Sequence, residues 1–277
     1  MAIAFTKMHG LGNDFIVVNC LERPLDGPSK FASVFCDRRF GIGADQLLLL
    51  CPSEKADFKM LIYNADGGEV EMCGNGIRCL AKYIWDRGLS KKNVLDIETL
   101  AGIIRPEVAG DMVRVDMGEP VFEPSKIPVA VAEDIACPVK DYSIVIEDRG
   151  FRATFVSMGN PHAVIFIDDD IEEFPIEKYG PLLENHPIFP KKANIEFVNA
   201  KGKDRLVMRV WERGSGQTLA CGTGASATGV AGMLKGLSDK KVAVNLAGGD
   251  LIIEWAPNNH VYMTGPAVEV FEGRIKE

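Results

Sequence analysis

The sequence predicts an α/β (α+β) chain of two similar lobes made by internal duplication. Three observations lead there: the sequence repeats itself once, each copy is dominated by short strand-like runs, and each copy holds an apolar helical segment that starts directly after a CGxG motif.

The repeat is seen by placing Cys73 on Cys221, an offset of 148 residues. CGNG (Cys73–Gly76) then lies on CGTG (Cys221–Gly224), GLSKK (Gly88–Lys92) on GLSDK (Gly236–Lys240), and Val94 on Val242. One residue of slippage brings Gly12-Asn13 onto Gly159-Asn160, and MGEP (Met117–Pro120) falls against TGP (Thr264–Pro266). Self-similarity at one large offset marks a duplicated domain, whereas solenoids show several copies at periods of about 20 to 50 residues. The expected lobes are residues 1–118 and 119–265, with the boundary in the Pro-containing stretch GEPVFEPSK (Gly118–Lys126). The tail 266–277 alternates as a strand does and is expected to complete the first lobe.

Strands are predicted at Phe15–Asn19, Gln46–Leu50, Phe58–Tyr63, Val113–Met117, Ala163–Ile167, Ile195–Asn199, Leu206–Trp211 and Leu251–Trp255. These runs are rich in β-branched and aromatic residues and are bounded by Gly, Asn, Asp or Pro. Helices are predicted at Asn75–Arg87 and Thr223–Leu234, from apolar periodicity. The second contains GASATGVAG, and since Gly weakens a helix, such a segment belongs tightly packed inside other structure.

Composition narrows the function. Of 277 residues, 47% are hydrophobic and 25% charged, the balance of an ordinary globular chain. A net charge of -8 disfavours attachment to nucleic acid or to anionic membranes, so a small molecule is the expected partner. The opening MAIAFTKMHGLGNDF has no apolar targeting core, and the longest aliphatic run, Leu47–Cys51, is too short to span a bilayer, which points to the cytoplasm. Seven cysteines, an odd set, suit free thiols. No CxxC pair occurs and the four histidines are scattered, so no metal is expected.

A glycine-rich turn that opens a helix presents unpaired N–H groups and the positive end of the helix dipole. Both repeats place a cysteine there, where the same field favours the thiolate. Two such sites facing one substrate suit inversion at a carbon bearing a carboxylate: one sulfur removes a proton, the other returns one to the opposite face, and the N–H groups stabilise the charge that develops. Cys73 and Cys221 are therefore the catalytic candidates. Cys20, Cys36, Cys51, Cys79 and Cys137 are read as small buried hydrophobes, as free cysteine usually is. GTGASA (Gly222–Ala227) also fits a dinucleotide-binding fingerprint, but the loop GSGQTLAC separates it from the preceding strand and GNGIRC lacks the final small residue.

Several motifs, in order, closely resemble the diaminopimelate epimerase family: KMHGLGNDF (Lys7–Phe15), RRFGIGADQ (Arg38–Gln46), YNADGGEVEMCGNGIRC (Tyr63–Cys79), GNPHAV (Gly159–Val164), ANIEFV (Ala193–Val198) and WERGSGQTLACGTGASA (Trp211–Ala227). The resemblance covers essentially the whole chain. It implies two pseudo-symmetric lobes, each a curved, mostly antiparallel sheet wrapped around a central helix, and an isomerase that interconverts LL- and meso-2,6-diaminopimelate without pyridoxal phosphate or another cofactor. That reaction serves lysine and peptidoglycan precursor synthesis, and the family is homodimeric. The resemblance puts the two catalytic thiols on Cys73 and Cys221, and their tuning on His162 and Glu212. Substrate binding falls on Asn13, Gln46, Asn64, Gly74, Asn75, Asn160, Asn194, Glu212, Arg213, Gly222 and Thr223. The residue types agree: Arg213 can clamp a carboxylate, while Glu212 and asparagine carbonyls can accept from ammonium groups. A cofactor-independent racemase of another amino acid, a cysteine-nucleophile hydrolase with His162 as base, and a catalytically silent amino-acid binding protein are the competing readings.

Overall fold

The strand-like runs assemble into sheets in two compact units, which the computed structural model describes over residues 2–132, 134–147 and 149–276. One unit spans Met1–Asp116 and Thr264–Glu277, the other Met117–Met263. Met1 and Glu277, the ends of the expected first lobe, lie outside the described residues.

The chain begins with β1 (Ala2–Gly10), β2 (Asn13–Asn19), α1 (Pro28–Phe35), β3 (Gln46–Cys51), β4 (Phe58–Asn64), β5 (Glu69–Val70) and α2 (Gly74–Asp86). Four short strands follow: β6 (Ile97–Thr99), β7 (Gly102–Ile104), β8 (Pro106–Ala109) and β9 (Met112–Asp116). Next come β10 (Tyr142–Ile146), β11 (Arg149–Ser157), β12 (Pro161–Phe166), α3 (Ile176–Glu184), β13 (Asn194–Ala200), β14 (Arg205–Glu212), β15 (Gly216–Gln217) and α4 (Gly222–Leu234). The last strands are β16 (Lys241–Leu246), β17 (Gly249–Trp255), β18 (Val261–Gly265) and β19 (Val268–Lys276).

The first unit orders its main sheet β19-β1-β2-β3-β4-β6-β7, with β5 beside β4. The second runs β10-β11-β12-β13-β14-β16-β17-β18, with β15 beside β14. Both are mixed sheets that are mostly antiparallel. The parallel steps are β2–β3 and β4–β6 in one, β12–β13 and β14–β16 in the other. The C-terminal strand β19 pairs antiparallel with β1 along most of its length.

A single helix sits at the heart of each unit. α2 packs on β1, β2 and β3 and buries Ile77, Leu80 and Ile84 completely, each contributing about 2 kcal/mol relative to exposure. α4 packs on β11, β12, β13, β14, β16 and β17, surrounded as its small residues require. A methyl at Gly229 would sit 2.6 Å from Ile253 Cγ2, and one at Gly232 would sit 3.0 Å from Leu206 Cδ1. Only glycine lets those strands approach the helix so closely.

The duplication holds in the strand register. Phe15 pairs with Gln46 across β2–β3, and His162 with Asn194 across β12–β13; each step places the same repeat position opposite the same partner position. The one-residue slip lies in a hairpin. His9 faces Asp14 across the β1–β2 turn, whereas Ser157 faces Pro161 across the β11–β12 turn, which is one residue shorter.

The predicted strands are all present, most of them a residue or two longer than expected, and the two predicted helices start one residue earlier, at Gly74 and Gly222. Helices α1 and α3 were not anticipated. α1 has eight residues, and α3 carries Pro181 inside it, which removes a helix hydrogen bond. Packing decides instead: Gly180 lets α3 press on the Trp211 ring, which a methyl there would approach to 2.6 Å. No helix among the described residues is long and apolar enough to cross a membrane.

Candidate active site

Each catalytic candidate is the N-cap of its unit's central helix. Cys73 has extended backbone (φ -138°, ψ 117°), as does Cys221 (φ -120°, ψ 109°), so each side chain turns back over the first helical turn. Cys73 Sγ accepts from the Gly76 N–H at 3.4 Å, and Cys221 Sγ from the Gly224 N–H at 3.3 Å. A sulfur held by a helix-start N–H is in the field that stabilises a thiolate.

Around Cys73 the first unit gathers amides. The Asn75 Nδ2 group donates to Asn13 Oδ1 at 3.2 Å, and the Cys73 thiol donates to the same oxygen at 3.7 Å. Asn13 Nδ2 donates to Asp45 Oδ2 at 2.8 Å, which fixes the turn after β1. Asp14 beside it is partly buried, which opposes its ionisation, but hydrogen bonds from Arg38 and Lys7 prevail and lower it to about 2. Gln46 and Asn64 face each other across β3–β4; Gln46 Nε2 donates to Asn64 Oδ1 at 2.9 Å, and the buried Gln46 Oε1 has no protein partner. Beneath this cluster Arg78, fully buried, donates to Asn75 Oδ1 at 2.8 Å, Gly74 O at 3.1 Å and Pro266 O at 3.3 Å.

Around Cys221 the second unit is acidic. Its Sγ lies 3.5 Å from Thr223 Oγ1, which accepts from Asn160 Nδ2 at 3.3 Å. His162 is fully buried, with Nε2 2.8 Å from Asn160 Oδ1 and Nδ1 2.7 Å from Glu196 Oε1. Burial, then the charges of Glu212 and Glu196, push the Cys221 thiol well above its ordinary value. Glu212 accepts from the Thr218 hydroxyl. Asn194 is occupied by the backbone: its Nδ2 donates to Pro161 O at 2.9 Å and its Oδ1 accepts from Arg213 N at 3.0 Å. It shapes the turn that presents Glu212 and Arg213. Glu184 secures the same turn, accepting from Trp211 Nε1 at 2.8 Å and Gly214 N at 3.0 Å. Arg213 itself is exposed and donates to Lys191 O at 3.4 Å.

Thus Asn13, Asn75, Gly74 and Cys73 meet in one unit with Gln46 and Asn64 paired on the adjacent strands. Asn160, His162, Thr223, Gly222 and Cys221 meet in the other, with Asn194 of β13 holding the turn that carries Glu212 and Arg213. Sequence reasoning missed Arg78, Glu184, Glu196 and Thr218. Glu196 carried a signal, since it is the sole charge in the apolar run ANIEFV and the repeat register sets it against Leu48. One cysteine reading needs correction: Cys137 is exposed, its sulfur 3.9 Å from Ile135 O, so it is no core hydrophobe; Cys20, Cys36 and Cys79 are buried and Cys51 is half-buried.

The helix start tolerates no side chain at Gly224, where a methyl would lie 2.8 Å from Glu196 Oε1 and 3.2 Å from Cys221 Sγ. Gly224→Ala is expected to destabilise the protein by about 1 to 3 kcal/mol, read as a lowered urea midpoint. An unchanged midpoint would mean that Glu196 moves aside freely.

The family model described as diaminopimelate epimerase matches residues 5–123 and 154–270, so the matched segments bracket the two repeats. A diaminopimelate epimerase of Acetivibrio thermocellus is 54% identical over 277 residues, covering 98% of both chains. One of Methanococcus maripaludis is 51% identical, covering 98% of this chain and 99% of its own. Among solved structures, a hydroxyproline epimerase from Agrobacterium vitis with bound trans-4-hydroxy-L-proline superposes with a TM-score of 0.66 at 14% identity, covering 99% of this chain and 92% of its own. A phenazine biosynthesis protein of the PhzF family from Bacillus anthracis gives 0.68 at 17% identity, with both chains fully covered. At those identities the structures establish the two-lobed fold alone.

Proposed function

The chain belongs to the diaminopimelate epimerase family, and from that premise we propose that it interconverts LL- and meso-2,6-diaminopimelate with Cys73 and Cys221 as its two acid–base groups. It is an isomerase. The observation that carries the assignment of the thiols is their equivalence: each is the N-cap of its repeat's central helix, and each sulfur accepts the N–H three residues on.

In this reading one thiolate removes the Cα proton while the other cysteine, as thiol, delivers a proton to the opposite face. The first-turn N–H groups at Gly74, Asn75, Gly222 and Thr223 stabilise the carboxylate as negative charge spreads onto it. No pyridoxal phosphate is needed, because those donors supply the electron sink. Asn13, Gln46, Asn64, Asn160, Asn194, Glu212 and Arg213 read the rest of a substrate that carries two ammonium and two carboxylate groups. The free Gln46 Oε1 suits an ammonium donor, and the exposed Arg213 fork a carboxylate. The same reading has the protein work in the cytoplasm as a homodimer, supplying lysine and peptidoglycan precursors.

Incubating the purified protein with LL-diaminopimelate in deuterium oxide, without added cofactor, should yield meso product carrying deuterium at the inverted Cα. Product without label, or no product, would refute the two-thiol proton-exchange scheme.

A further inference from the structure

Strand β13 buries Ile195, Phe197 and Val198 completely, and Glu196 is buried among them with its Oε2 lacking any protein partner. A carboxyl group in such a place costs stability unless its hydrogen bonds repay it. The fold does not need it there. The equivalent positions of the first unit, on strands of matching register, hold Phe15 and Leu48, an apolar pair that is fully buried. The polar pair His162 and Glu196 therefore belongs to the second unit's chemistry.

The imidazole is bonded at both nitrogens. Nε2 faces Asn160 Oδ1, an acceptor, so Nε2 carries a proton. Nδ1 and Glu196 Oε1, 2.7 Å apart, must then share one proton, since without it two lone pairs would confront each other in a dry site. From Asn160 the chain of bonds runs through Nδ2 to the Thr223 hydroxyl and from there to Cys221 Sγ. Glu196 also abuts the first turn of α4, as the close approach of its Oε1 to position 224 shows; in the first unit a methyl at Gly76 would meet Leu48 Cδ2 at 3.2 Å instead.

We infer that Glu196 is a positioning residue for Cys221: by holding the proton it shares with His162, it fixes His162 as an Nε2–H donor to Asn160, whose amide then holds the Thr223 hydroxyl beside the sulfur. The inference rests on Cys221 being one of the two acid–base groups. The charges that act most on the thiol are Glu212 of β14 and Glu196 of β13, with His162 of β12 behind Glu196; Thr223 and the Gly224 N–H act the other way. Glu196 Oε1 and Cys221 Sγ border the same point of the helix start, 2.8 Å and 3.2 Å from where a methyl at Gly224 would sit. Glu196→Gln removes the negative carboxyl, so Cys221 should ionise at lower pH.

The test is alkylation of the free enzyme with iodoacetamide across pH, with Cys221 and Cys73 read separately by peptide mass. Glu196→Gln should move the Cys221 midpoint down by about one pH unit while the Cys73 midpoint stays, and should lower kcat about tenfold with KM unchanged. A second variant, His162→Phe with Glu196→Leu, copies the apolar pair of the first unit, removes the buried carboxyl and imidazole together, and should shift Cys221 in the same direction. A Cys221 midpoint equal to wild type in both variants overturns the inference. Because alkylation is read without substrate, an unmoved Cys221 midpoint is a failure of this inference, distinct from failure of the wild-type protein to incorporate deuterium, which would refute the functional reading.

Discussion

Cys73→Ser and Cys221→Ser should each slow epimerisation by about 10²- to 10⁴-fold, the range that a positioned acid or base contributes. Serine is the right replacement because it keeps the cap. Each cysteine sulfur accepts an N–H of the first helical turn, and a serine oxygen is among the best acceptors at that position. Thermal stability should therefore hold while activity falls, which separates chemistry from folding. The variants should also differ from each other. With one thiol left, a proton can leave and return on one face only, so deuterium can wash into one stereoisomer without inversion. The stereoisomer that exchanges should be opposite in the two variants. Stereochemical analysis after incubation in deuterium oxide measures this, and either variant inverting at a wild-type rate would refute the two-thiol scheme.

Much of this site is legible in the sequence because duplication writes it twice. The CGxG pair points to both candidate thiols and both helix starts, and the offset of 148 residues that aligns Gln46 with Asn194 and Asn64 with Glu212 returns in the pairing of Phe15 with Gln46 and of His162 with Asn194. What was not legible is what the two copies do differently. Glu196 stands out as the one charge in its apolar run, but nothing in the sequence joins it to His162, which lies 34 residues away and on another strand. Glu184 lies on α3, a helix hidden by its internal proline, and reaches the Glu212–Arg213 turn through tertiary packing. Short strands such as β6, β7 and β8 have three or four residues each, too few for an alternating pattern to stand out. Local periodicity reports a residue's own element; it does not report which distant side chain shares its hydrogen bond.

Arg78→Met should produce the largest loss of stability in the first unit, about 2 to 4 kcal/mol, together with a less reactive Cys73. The guanidinium is completely buried and bridges two segments: the start of α2, through Gly74 O and the Asn75 side chain, and Pro266 just before β19. Methionine fills part of the space but leaves Asn75 Oδ1 and the Pro266 carbonyl without that donor, and the Asn75 amide is what orients Asn13 beside Cys73. The second unit manages the same helix turn with much less, since Ser226 donates to Gly222 O at 2.9 Å where Arg78 donates to Gly74 O. The arginine is thus more than a helix-start clamp. Burial pushes its proton affinity down, while Cys79 and Cys73 act to hold the charge on it. That attraction is reciprocal: a buried cation favours ionised sulfur at Cys73, just as Glu196 and Glu212 disfavour it at Cys221. Removing the cation raises the pH at which the Cys73 thiol ionises, so its alkylation near neutral pH should slow while that of Cys221 does not. Arg78→Lys divides the two roles, because an ammonium keeps the charge without the planar fork. It should lose stability as the methionine variant does and yet keep a reactive Cys73. If Arg78→Met left Cys73 alkylating at the wild-type rate, the arginine would be a structural clamp and the charge difference between the two units would have no bearing on the first thiol.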